Sequence, residues 1–133
     1  MQNISSTRKT LIVLGHALVG WALCAATMGI GMAATSSENA LTIHAIAAPI
    51  FFIIISLVYF KKFNYTTPLQ TAAIFVGFVM IVDFLVVALL ILHSLDMFAS
   101  LLGTWIPFTL IFTSTYLTGL YSQRSAKLKT FVL

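Results

Sequence analysis

The sequence predicts an all-α integral membrane protein: four transmembrane helices in an up-down-up-down antiparallel bundle, with both termini cytoplasmic. Three observations predict it. The chain of 133 residues is 60% hydrophobic and only 8% charged, with a mean hydropathy of +1.06. Soluble domains carry about 25% charged residues, so a chain this apolar needs lipid as its solvent. Its apolar runs are divided by three short polar breaks, TSSENA, KKFNYTTP and HSLDMFAS. All seven basic residues fall before the first run, in the middle break, or after the last run.

The spans are expected at about residues 10–33, 41–60, 69–92 and 100–121, each close to the roughly 20 residues a bilayer requires. The first follows Arg8 and Lys9. A basic start, an apolar run and the small residues GMAA also suit a cleaved signal peptide, but the run is long for one and holds His16. Gly20, Cys24, Thr27 and Gly31 recur at spacings of four, three and four, giving this span a small-residue face for close helix packing. Trp21, far from both interfaces, is expected to fill space against the third helix.

The second span contains Pro49 and the fourth contains Pro107. A proline removes an N–H and crowds the carbonyl four residues back, so both helices are expected to kink and to free the carbonyls of Ala45 and Gly103. The third span begins beside Thr67 and Pro68, where proline suits a first helical turn. Residues 122–133 form a short basic cytoplasmic tail. Tyr59, Tyr65 and Tyr121 are expected at the inner interface and Trp105 near the outer one.

Arg8, Lys9, Lys61, Lys62, Arg124, Lys127 and Lys129 share one side, while the other two breaks hold only Glu38 and Asp96. This is the positive-inside pattern, and it places the chain in a plasma membrane, the inner membrane in a bacterium. The net charge of +4 follows from that bias and points to no nucleic-acid partner. Connections this short force neighbouring helices to be antiparallel.

The chemistry centres on Asp83, an acid inside the apolar run IFVGFVMIVDFLVVALLIL. At 1.5 Å of rise per residue it sits roughly 13 Å below the outer surface, in the slab that holds Pro49, Pro107, Cys24, Thr27 and Thr109. Intramembrane acids face a bundle interior or a wet cavity and take a partner. No Lys or Arg lies within a span, so the expected donors are His44, Thr27, Thr104, Thr109 and the Trp105 indole. Asp83, His44, His16, Thr27, Thr109 and Trp105 are the intramembrane polar candidates for a proton relay. The other role open to Asp83 is a hydrogen-bonded latch between helices.

His16 is expected level with Ser114 and Thr115, and His44 near the opposite surface, so the two cannot clamp a haem at one depth. His44, His93, Asp96 and Glu38 have ligand types suited to zinc or copper but lack tight spacing. No cofactor is expected, and the single cysteine excludes an intramolecular disulfide. No Walker loop, GxGxxG, HExxH or CxxC occurs. Two functions fit. One is a small proton- or cation-linked transporter or channel using Asp83, as a homo-oligomer because four helices rarely enclose a full pathway. The other is a non-catalytic accessory protein packed in a larger membrane complex.

Overall fold

The computed structural model describes residues 5–91 and 93–132, and all its regular structure is helical. Helix α1 spans Ser6–Ala34, α2 Ser37–Lys62 and α3 Pro68–Val82. Helix α3 continues without interruption into a π-helical segment, Asp83–Ile91. A 3-10 turn (Asp96–Ala99) and a π turn (Leu101–Trp105) lead into α4, Ile106–Val132. Three of these helical stretches, Ser6–Ala34, Ser37–Lys62 and Pro68–Ile91, are long and apolar enough to cross a membrane. By length and composition these helices are consistent with a small membrane protein.

Local sequence explains where the helices begin. Ser5, Ser36 and Thr67 are N-caps whose hydroxyls accept from Arg8, Asn39 and Gln70 backbone N–H groups. Such caps satisfy N–H groups that the first helical turn leaves without partners. At Thr67 the box is reciprocal, because the Gln70 side chain accepts from the Thr67 N–H at 3.1 Å. The last residue of the expected third span, Leu92, lies outside the described residues.

The fourth apolar run is divided. Its first residues form the π turn, in which the Ile106 N–H donates to the Leu101 carbonyl five residues back. The wider turn relieves the crowding that the ring of Pro107 would impose on the Gly103 carbonyl. Helix α4 carries Thr109, Thr113, Ser114, Thr115 and Thr118, and it is less apolar than the other three. It also continues to Val132, so the basic segment expected as a tail is helical. Helix α2, by contrast, stays α-helical on both sides of Pro49.

The helices pack α1 on α2, α2 on α4, α4 on α3 and α3 on α1. Phe52, Tyr59, Phe60, Phe75, Phe108 and Ile111 form the core with Ala48. In lipid, helices gain no hydrophobic attraction by meeting, so close van der Waals contact has to hold them. Gly20 gives that contact: a Cβ there would lie 2.5 Å from Phe52 Cζ. Leu11, Ile30, Ile46, Ile54, Leu90 and Leu117 point outward instead.

Tyr59, near the basic end of α2, turns its side chain into the bundle. It is fully buried, and its hydroxyl pairs with Thr66 at 2.8 Å and accepts from the Tyr65 N–H at 3.2 Å. Thr66 in turn pairs with Thr71, whose hydroxyl donates to the Thr67 carbonyl. The α2–α3 connection is thus tied into the core. Asn64 ends α2 at φ 52°, a left-handed position that asparagine tolerates, and its N–H donates to the Tyr59 carbonyl.

Candidate functional site

The π-helical segment Asp83–Ile91 sets the site. Its backbone packs against α3, which it prolongs, and approaches α1, α2 and α4 little. Ala88 is its one buried residue among those described. The other helices stand off from it, and a cleft of about 520 Å³ lies between them. The rim is formed by Ser37, Asp96 and Ser100, at the end of the bundle that carries the α1–α2 turn. Met28, Met32, Leu41, Val87 and Ile91 line the walls. The floor holds Trp21, Asp83, Phe108 and Ile111, and Cys24 and His44 also line the cleft.

Asp83 begins the π segment, where its own N–H is shared between the Met80 and Val79 carbonyls. π turns inside helices occur frequently at functional sites. Its carboxylate is half-buried and turned toward α1, where the Trp21 indole Nε1–H donates to Oδ1 at 2.8 Å. This is the one described side-chain hydrogen bond that joins α1 to α3. The bond holds the acid at the cleft floor.

Three of the donors expected from the sequence, Thr27, Thr109 and Trp105, are engaged elsewhere. Thr27 donates to the Leu23 carbonyl and Thr109 to the Trp105 carbonyl, both at 2.8 Å within their own helices. The Trp105 indole donates to the Phe98 carbonyl at 2.8 Å and so ties the 3-10 turn to the π turn that precedes α4. Back-bonding to the preceding turn is the usual fate of a helical threonine without a better acceptor. Thr104 is buried at the π turn. Of the polar candidates, the cleft brings together only Asp83 and His44.

His44 Nδ1 is buried without a hydrogen-bond partner among the described residues. His16 lies apart from the cleft. Its Nδ1–H donates to the Ile12 carbonyl at 2.7 Å, and its ring packs edge-on against Tyr59 and Phe63 at 5.4 and 5.3 Å. It therefore meets neither Ser114 nor Thr115, as its depth had suggested. Ser114 donates instead to Ile111 within α4, and Thr115 Oγ1 is buried without a partner among the described residues.

The set His44, His93, Asp96 and Glu38 is not gathered. Among the described residues, no group of three His, Cys, Asp or Glu side chains could hold a metal ion. His93 instead closes the π segment with φ 52°, and the next N–H, Ser94, donates to the Ala88 carbonyl at 2.9 Å.

Sequence reasoning missed Trp21 as the partner of Asp83 and missed Met28, Met32 and Ser100 as cleft residues. The signal for Trp21 was its distance from both interfaces, together with a long side chain able to cross a difference in depth. The methionines carry no sequence signal separating a cleft wall from a lipid face. Comparison of the chain with protein-family models, with curated proteins and with solved structures found no match.

Proposed function

We propose that this is a small transport protein of the plasma membrane, the inner membrane in a bacterium, in which protons or cations reach Asp83 through the cleft. In this reading the four helices run alternately up and down, and both termini are cytoplasmic. The seven basic residues then lie inside, and the cleft opens on the opposite face. The observation that carries the reading is the cleft itself, because it leads from an exposed rim to a carboxylate in the apolar part of the bundle. A carboxyl that water can reach exchanges its proton, as a relay requires.

The cleft floor is closed beneath Asp83 by Phe108, Ile111 and the Phe52–Phe75 core. One chain thus provides half of a pathway, and a homo-oligomer supplies or completes the other half. The Trp21–Asp83 bond favours a second reading, in which the acid latches α1 to α3 inside a larger assembly.

Reconstitution separates the two. The protein is placed in liposomes containing a pH-sensitive dye, and flux is followed after a cation or proton gradient is imposed. Wild type should carry proton-linked flux, and Asp83→Asn, which retains shape and hydrogen bonding, should fold and lose it. No flux from the wild-type protein, or equal flux from the Asn variant, would leave the latch.

A further inference from the structure

We propose that the cleft binds an organic cation, a positively charged nitrogen or phosphorus centre carried on an apolar body. The proposal rests on the transport reading and names its substrate class.

Charge supplies the first argument. Asp83 on the floor and Asp96 at the rim are the charged side chains of the lining, and no lysine or arginine joins them. All seven basic residues of the chain lie outside the cleft. An anion would meet two carboxylates and no countercharge, whereas a cation moving inward passes one carboxylate and ends beside the other.

The walls supply the second. A small metal cation needs about six oxygen ligands to replace its water. The floor offers one carboxylate, one of whose oxygens already accepts from Trp21, within a surround of Met28, Val87, Phe108 and Ile111. Such a site leaves a hydrated ion unsatisfied. An organic cation holds its charge weakly hydrated and brings apolar surface that these walls cover. Aromatic rings near a carboxylate add attraction for a cation, and methionine side chains adapt to varied shapes.

Size supplies the third. A cleft of about 520 Å³ has the volume of a small-molecule site, far larger than one ion or a file of protons needs.

The test uses two probes of nearly equal shape and opposite charge, tetraphenylphosphonium and tetraphenylborate. The full chain is held in lipid nanodiscs and carries Trp105→Phe, so that Trp21 is its one tryptophan. Saturable change in Trp21 emission with the phosphonium and none with the borate is expected. Calorimetry on the wild-type protein should give the same ranking, which needs no variant to fold. Asp83→Asn should weaken phosphonium binding by about tenfold or more, as loss of one coulombic partner at reduced dielectric implies. Asp83→Glu should largely retain it. Equal response to both probes, no saturable phosphonium binding, or undiminished binding by a folded Asn variant overturns the proposal. The flux assay keeps it distinct from the transport reading. Proton-linked flux without phosphonium binding removes the substrate class alone, while phosphonium binding without any flux supports the site and removes transport.

Discussion

Asp83 and Trp21 meet across α1 and α3 in a surround that offers few hydrogen-bonding groups. An indole N–H in hydrocarbon has only protein to bond, and so does a carboxylate one helix away. Trp21→Phe retains the ring and removes that donor. It should lower stability by about 1 kcal/mol, near the upper range measured for bonds between membrane helices, and denaturant unfolding in detergent would show the shift. Gly20 sits against Phe52 with no room for a side chain. Gly20→Leu should cost about 1–3 kcal/mol by overpacking, read as a lower thermal midpoint, whereas Gly15→Leu, with nothing near its absent Cβ, should change little. The sequence shows Gly15 and Gly20 as two glycines in one apolar run. Only the facing helix tells them apart, so the small-residue face was visible and its individual contacts were not.

Helices were legible where capping and polar breaks are written into the chain, as at Ser36, Thr67 and Pro68. The π segment was not. Neither proline nor glycine marks residues 83–91, and an apolar run reads alike at either helical pitch. Depth counted along straight helices put Asp83, Cys24, Pro49 and Pro107 in one layer, and of these Asp83, Cys24 and Pro107 line the cleft while Pro49 does not. The same count placed Thr27 and Thr109 there, but depth alone does not fix which way a side chain points, and both bond backward to their own helices. The segment ends on a strained residue, because His93 holds φ 52°. A left-handed conformation costs a residue with a Cβ about 1–2 kcal/mol and glycine almost nothing. His93→Gly should therefore raise the unfolding midpoint slightly, while His93→Val should lower it.

Class and lipid environment were the firmest readings from composition, since so few charges cannot cover a water-facing surface. Orientation is a separate matter, resting on seven basic residues and on no contact between side chains. It is tested with single cysteines in a Cys24→Ala background. Cysteines at Ser37 and Ser94, beside the cleft rim, should react with an impermeant thiol reagent added outside whole cells. One at Asn64 should react only after the cells are opened. The opposite pattern would turn the cleft toward the cytoplasm.

The bundle is bound unequally along its length. At one end Tyr59 knots α2, the 63–67 connection and α3 together, while at the other the backbone of the π segment approaches α1, α2 and α4 little. Such a body behaves like tongs riveted at the handle. Small rocking near Tyr59 would become wide travel at Ile91, and the Trp21–Asp83 bond would be the clasp that limits how far the jaws part. Amide hydrogen exchange should record this as a gradient, slow through Ala72 and Phe75 and faster beyond Asp83. Trp21→Phe should steepen that gradient by quickening exchange beyond the clasp while leaving the riveted end unchanged.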